Sequence, residues 1–465
     1  PYLNQVREYY QNQTDKVPLT EAQKQLWFLD KLGENSAVAY LDSLYAELKG
    51  NLDIRTLQES LTTVINRHEA LRTRIDSNGE FQEILHEVSV AIPIVDFSQL
   101  SGNSQEEEIK SWLEAQFKER FDLTRAPLFQ VYVLKLGAEI HRLVAKIHHI
   151  IADGWSVSLV LQEVTQLYSA KCQEQLISLP QTKQFQDYTV WQNQQSQTAE
   201  MQVQETYWLN QFANDIPVLN LPTDRPHPAM MSYRGNRQSL GLDGSLTKAI
   251  KQLSKKQGCT LFMTLLAAYK VLLHRLSGNQ EIVVGIPTAG RSFPGRESIV
   301  GYCVHLLPIR SSLNSTTSFA EYLKSIRTIL LDGYEHQNYP FSTLLNKLDL
   351  HRDFSRPALV SAAFNLDLPL GQPNMFGVEM NFLSPPKIPL AYDIYLTVTD
   401  TDDQLFLDCG YNLDVFNDET IQRWLHHFQT LLTAVVENPQ QQIREIPLLT
   451  DGEKLELLVN RNQTA

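Results

Sequence analysis

Cysteine is scarce in this 465-residue chain, and the four present, Cys172, Cys259, Cys303 and Cys409, stand far apart with no paired spacing. That argues against a disulfide framework and against a zinc site. No run of about 18 apolar residues occurs and no signal peptide opens the sequence, so neither membrane insertion nor secretion is expected, and a cytoplasmic location is. An excess of positive charge is missing too. The formal net charge is −13, which disfavours nucleic acid as a partner. The acidic residues are spread along the chain and say little about a substrate. What is there is 43% hydrophobic and 20% charged residues, the composition of a soluble globular protein long enough for two or three units with cores of their own.

The most informative stretch is His148-His149-Ile150-Ile151-Ala152-Asp153-Gly154-Trp155-Ser156. Upstream, Leu143, Ala145 and Ile147 alternate as in a strand; downstream, Trp155, Leu159, Val160, Val164, Leu167 and Tyr168 recur at helical spacing. The segment therefore reads as a strand, turn, helix corner, with the two histidines on opposite faces and only one of them free to work as a base. Such a corner suits acyl transfer. An amine attacking a thioester must shed a proton, and an imidazole with an unperturbed pKa of about 6.5 can take it near neutrality. Asp153 can pair with an arginine to fix the turn, or can simply cap the helix that follows; Gly154 lets the backbone approach a substrate. A metal reading of His148, His149 and Asp153 is weak, because adjacent strand residues diverge and no third ligand stands at useful spacing. A second doublet, His426-His427, sits inside an amphipathic helix over 418–436 and has no Asp-Gly after it, so it reads as a helix feature.

Along the rest of the chain helix and strand alternate. Residues 1–17 are polar and aperiodic, a linker or fraying terminus. Helical periodicity runs from Leu19 to Leu32, and Asp53 can cap a helix burying Leu57, Leu61, Val64 and Ile65, with short strands near 71–75 and 81–85. The Pro-, Gln- and Asn-rich run 178–235 reads as an ordered connector. Helices near 245–257 and 260–276, a strand over 281–286 and a mostly helical end are expected beyond it.

Taken in order, the motifs resemble those of nonribosomal peptide synthetase condensation domains, in the chloramphenicol acetyltransferase-like superfamily. Leu19-Thr20-Glu21-Ala22-Gln23-Lys24-Gln25-Leu26-Trp27-Phe28-Leu29 is similar to the first motif, Arg67-His68-Glu69-Ala70-Leu71-Arg72-Thr73 to the second, and His148 to Ser156 to the third, the active-site motif. Tyr207-Trp208 with Leu221-Pro222-Thr223-Asp224-Arg225-Pro226 resembles the fourth, and Val300-Gly301-Tyr302-Cys303-Val304-His305-Leu306-Leu307-Pro308-Ile309-Arg310 the fifth. His336 to Phe341 and Arg352 to Arg356 complete the set, and Ile446 to Thr450 resembles an exit towards an adenylation domain.

The resemblance implies an α/β (α+β) fold of two chloramphenicol acetyltransferase-like lobes forming a V with the active site in a tunnel between them. It would divide the chain into a linker at 1–17, an N-terminal lobe at 18–177, a C-terminal lobe with the connector at 178–450, and a linker at 451–465. It implies amide formation between substrates carried on the phosphopantetheine of an upstream donor carrier protein and a downstream acceptor carrier protein, beside an adenylation domain. No cofactor, metal, nucleic acid or membrane is called for. His149, second of the pair, inherits the catalytic role, as base or as orienting group, and the Gly154 N–H is a donor for the oxyanion. His148, Asp153 and Arg291 are structural, with Arg291 expected to pair with Asp153. Trp155, Ser156, His305, Asn365 and Gln25 are candidates for lining the tunnel.

Departures from the family pattern fall at Gln25, where many members carry Arg, at His305-Leu306, where Asn-Thr is commoner, and at Pro357-Ala358, which shifts the last motif's proline by one place. For His305 a strand histidine packed in the core is the competing reading. No Asp-x4-Asp replaces the histidine pair, Ile147 stands where dehydrating variants carry a third histidine, and Trp155-Ser156 differs from the epimerase pattern. An L-donor or acyl-donor subtype is what remains. Of the rivals, a free-standing coenzyme A acyltransferase lacks the plant family's Asp-Phe-Gly-Trp-Gly, and a serine hydrolase lacks the last glycine of Gly-x-Ser-x-Gly at Gly154 to Ser158. A degenerate module that only recruits a partner is the non-enzymatic alternative.

Overall fold

The computed structural model describes residues 16–33, 36–37, 39–291, 295–348, 350, 353–367, 373–383 and 390–455. The chain divides into two compact units, each of mixed α/β structure. Unit 1 takes Pro1–Val203, Ala289–His305 and Leu370–Pro389; unit 2 takes Gln204–Thr288, Leu306–Pro369 and Leu390–Ala465. A single cut at 177/178 does not describe this division, since unit 1 recruits two segments from the second half of the chain.

In unit 1, β1 (Lys16–Pro18) runs into α1 (Glu21–Leu32) through a capping box: Thr20 accepts from the Gln23 N–H, and the Gln23 side chain reaches back to the Thr20 N–H. Lys16 and Val17 therefore do not belong to the expected linker. Val17 is buried, and β1 pairs with a later strand. Next come β2 (Leu41–Gly50) and α2 (Ile54–Arg67), which Asp53 caps through the Thr56 N–H and which buries Leu57, Leu61, Val64 and Ile65. Strands β3 (Thr73–Ile75) and β4 (Phe81–Ile84) complete a three-stranded sheet ordered β1-β4-β3.

A larger sheet is built from β5 (Ile94–Asp96), β6 (Phe129–Lys135), β7 (Ile140–His148) and β2, with α3 (Gly102–Lys118) between β5 and β6 in sequence. Strand β7 explains why its polar positions are buried. Leu143, Ala145 and Ile147 join the main core, while on the other face Val144 joins a second cluster with Ile109 and Leu113 of α3. Lys146 shares that second face, its Nζ donating to the carbonyls of Gln116 and Glu119 at 2.9 and 3.0 Å, where α3 ends. With both faces covered, His148 at the strand's end is 1% exposed. After the turn, α4 (Gly154–Cys172) packs on α2, joined by Glu163, which meets Arg67 at 3.2 Å and His68 at 2.8 Å. The expected connector is partly helical: α5 (Phe185–Gln195) and α6 (Ala199–Gln211) lie inside it, with Phe185, Tyr188, Met201 and Trp208 buried. Glutamine-rich composition hid these apolar positions.

Unit 2 is built around a six-stranded sheet ordered β10-β9-β11-β13-β14-β8. Its elements are β8 (Gly235–Gly241), α7 (Gly244–Lys256), α8 (Leu261–Ser277), β9 (Glu281–Thr288), β10 (His305–Ser312), α9 (Phe319–Glu335), α10 (Phe341–Lys347) and β11 (Ala362–Asp367). Strand β12 (Val378–Phe382) then returns to unit 1 and pairs antiparallel with β2, before β13 (Ile394–Asp400), β14 (Leu405–Asn412), α11 (Asp418–Glu437) and the short α12 (Asp451–Leu455). The mostly helical ending expected for the chain is thus wrong for 362–412, which holds four strands. Helix α8 is apolar nearly all round because it is enclosed in unit 2; its one lysine, Lys270, donates to Ile282 O, Ile309 O and Ser311 Oγ at 2.7 to 3.0 Å. No single helix among the described residues is long and apolar enough to cross a membrane. The doublet His426-His427 lies on α11, His426 bonded to Gln422 O and His427 to Glu453 at 2.9 Å.

Candidate active site

Strand β7 stops at His148 because the chain turns there: Ile151 N–H reaches His148 O at 3.1 Å and Ala152 N–H reaches His149 O at 3.3 Å. Two outside contacts hold the turn. The His149 N–H donates to Tyr40 O at 2.9 Å, and Gln23, buried on α1, donates through Nε2 to Ile150 O at 3.0 Å. Gln23 was not singled out from the sequence, although its place three residues after Thr20 marked it as a capping partner. It does both jobs at once.

The two histidines are unlike. The His148 Nδ1 accepts the Ile150 N–H at 3.0 Å, so its proton sits on Nε2, which is buried with no partner among the described residues. Burial, with His149 alongside, drags its pKa down to about 3 and keeps it neutral. His149 is only half-buried. Its Nδ1 faces Ala152 O at 3.3 Å, an acceptor, so Nδ1 carries the proton, and among the described residues Nε2 meets no hydrogen-bond partner.

Asp153 is fully buried and accepts five hydrogen bonds. It caps α4 through the Ser156 N–H (2.9 Å), takes the Ser156 hydroxyl (2.7 Å) and the Cys303 N–H (3.0 Å), and receives the two prongs of Arg291 at 2.9 and 3.0 Å. Arg291 also donates to Ala289 O, Ile299 O and Gly301 O. The two readings of Asp153, cap and ion pair, both describe it. Arg291 comes from the second half of the chain, in the segment Ala289–His305 that belongs to unit 1. The thiol of Cys303, buried next to this pair, is pushed up to about 12 by burial, with Arg291 opposing, so it is inert.

Of the residues expected to line a tunnel, Ser156 is 0% exposed and spent: besides Asp153 it meets Gly301 N–H at 3.0 Å and Arg291 at 3.0 Å. It is structural instead. His305 is likewise packed inside, 7% exposed, its Nε2 3.0 Å from Tyr188 Oη, which in turn accepts from Gln192 at 3.0 Å. Tyr188 therefore donates to His305, and burial, then Arg296, lowers the His305 pKa to about 4. Trp155 is 49% exposed, with its indole N–H on Glu297 O at 2.8 Å. Gln25 lies half-buried on α1. Asn365 belongs to unit 2, on β11, where it donates to Asp367 at 2.6 Å. Arg352 of the last motif lies outside the described residues. Gly154, first residue of α4, is exposed, and a Cβ added there would meet nothing within 4 Å. Its N–H is one of the first-turn donors that no helical carbonyl uses. Among the described residues no group of three or more His, Cys, Asp or Glu is placed to hold a metal ion.

The family model described as "Condensation domain" matches residues 13–458. Tyrocidine synthase 3 of Brevibacillus parabrevis is 36% identical over 462 residues, 98% of this chain and 7% of the relative; bacitracin synthase 3 of Bacillus licheniformis is 36% identical over 461 residues, 98% and 7%. The chain thus spans a small part of the length of these synthases. Among solved structures, a four-domain nonribosomal peptide synthetase bound to AMP and glycine superposes with a TM-score of 0.84 at 21% identity, covering 94% of this chain and 34% of that one. The condensation domain of the monacolin K polyketide synthase gives 0.81 at 21% identity, covering 92% and 99%. At these identities the structures speak for the fold alone.

Proposed function

This chain belongs to the condensation domain family of nonribosomal peptide synthetases, acyltransferases acting on phosphopantetheine-tethered substrates, and we propose that it joins an acyl or peptidyl donor on an upstream carrier protein to an aminoacyl acceptor on a downstream one. The donor is of the L-configured or acyl type, and an adenylation domain follows. The observation that carries this reading is the corner at 149–154, where the half-buried His149 ring is bonded among the described residues through Nδ1 alone and Gly154, the first residue of the following helix, has open space around an added Cβ.

In the reaction the acceptor amine attacks the thioester carbonyl; the new C–N bond forms, the C–S bond breaks, and the amine proton must leave. His149 Nε2 takes it as base, or steadies the ammonium as it forms, and the departing thiolate recovers a proton. General-base help of this kind is worth about 10²- to 10⁴-fold. The N–H of Gly154 faces the developing oxyanion, a contribution of several kcal/mol where such donors have been removed. His148, neutral and enclosed, stays out of the chemistry. Tethering raises the effective concentration of both substrates, so neither needs a tight pocket.

Intact-mass measurement of two loaded carrier domains incubated with the protein tests this. The expected result is transfer of the donor's acyl mass to the acceptor carrier without ATP or metal, lost by at least about 100-fold in His149→Ala. Equal turnover of coenzyme A thioesters with free amino acids would instead mark a free-standing acyltransferase, and no transfer with any carrier pair would mark a recruiting module.

A further inference from the structure

Residues 300–304 of the fifth motif pass directly beside the catalytic corner, and the contacts there are unevenly divided. Burial alternates: Gly301, Cys303 and His305 are buried, while Tyr302 and Val304 are half-buried. Gly301 faces Phe185, whose ring would lie 2.0 Å from any Cβ at that position, and Cys303 is enclosed in the core. Tyr302, between them, meets a different neighbour. Its ring lies against the imidazole of His149, with centroids 5.9 Å apart and planes tilted by 57°.

The imidazole needs such a wall. Its own turn holds it by one long hydrogen bond, Nδ1 to Ala152 O at 3.3 Å, which fixes the tautomer but resists rotation poorly. Tyr302, by contrast, is fixed from both sides: Gly301 is held by Ser156 Oγ and by Arg291, and the Cys303 N–H by Asp153. The buried ion pair touches the chain immediately before and after Tyr302 and never touches His149 in any of its hydrogen bonds.

We infer that Tyr302 is a positioning residue for His149, and that the Asp153–Arg291 pair acts on the reaction through it, by docking residues 301–303 so that the Tyr302 ring sets the imidazole's orientation. An aromatic face also favours the imidazole when it carries a positive charge, as it does after taking the amine proton. This rests on His149 being the catalytic histidine.

The test uses the full chain with side-chain-labelled histidine, the His149 resonance being identified by its loss in His149→Ala. Tyr302→Leu removes the ring; the His149 resonance should move as the ring current disappears, and kcat for carrier-to-carrier transfer should fall by about 10- to 100-fold, with KM for the acceptor carrier within about twofold. Tyr302→Phe, which keeps the ring, should restore most of both. The Trp155 indole N–H, bonded to Glu297 O, reports that 289–305 stays docked in each variant. An unmoved His149 resonance in Tyr302→Leu overturns the inference, as does a Tyr302→Phe variant as slow as Tyr302→Leu. Full activity in His149→Ala would instead sink the catalytic reading, while the resonance still decides whether the rings touch.

Discussion

At the scale of the residue, the site works by giving each polar atom a different obligation. Asp153 is charged, wholly buried and fully used, and its five donors come from three stretches of chain. Such a carboxylate resists the loss of a partner more than it adds to stability. Asp153→Ala and Arg291→Ala should each cost about 3–5 kcal/mol by stranding the opposite charge, while the double variant costs much less than their sum. A double-mutant cycle in urea reads this directly, and additive losses would contradict the pair. The aspartate was legible as a fixed point because its spacing from the histidines and its place before the helix limited what it could do. Ser156 was not: a serine after Gly-Trp looks available for substrate, and its hydroxyl is used up between Asp153 and the segment arriving from 289–305.

At the scale of the element, a helix start with a local cap is open to reading from the sequence, and the company of each strand is not. Thr20, Asp53 and Asp153 cap α1, α2 and α4 by contacts within three residues, which any reading of local chemistry can find. The four strands between 362 and 412 went unseen because they mix Tyr, Asn, Asp and Thr with their apolar residues. Two glycines show how differently elements constrain the same residue. Gly290, at φ +62°, leads into Arg291, and a Cβ there would lie 1.8 Å from Cys303 O, a backbone atom that cannot move aside cheaply. Gly290→Ala should lose at least about 2 kcal/mol and lower turnover with it. Gly154→Ala, with open space around the added methyl, should leave chemical denaturation unchanged yet slow transfer by crowding the thioester. Matching effects of the two substitutions on stability would refute this contrast.

At the scale of the whole molecule, buried neutral histidines make stability depend on pH. His148 and His305 titrate near 3 and 4 in the folded chain against about 6.5 when unfolded, so between these limits the unfolded state binds more protons. The stability they help maintain is complete above about pH 6.5 and drains as pH falls towards 4, each histidine contributing a slope of about 1.4 kcal/mol per pH unit. His305→Asn should remove one histidine's share of that slope, read from urea melts between pH 6.5 and 4.5. An unaltered slope would mean that His305 is not held neutral.

What the sequence determined by itself is the order of chemistry along the chain: the strand, turn, helix corner at 148–156, the cap at Asp153, and through the run of motifs the family. These are local or ordered features, carried by periodicity and spacing. Tertiary structure alone decided which residues share a neighbourhood. Unit 1 takes back β12 and 289–305 from the far half of the chain, which sets Arg291 on Asp153 across 138 positions and lays Tyr302 against His149. No local pattern encodes such pairings, because they are settled by which apolar faces and buried charges can be satisfied together once the whole unit has closed.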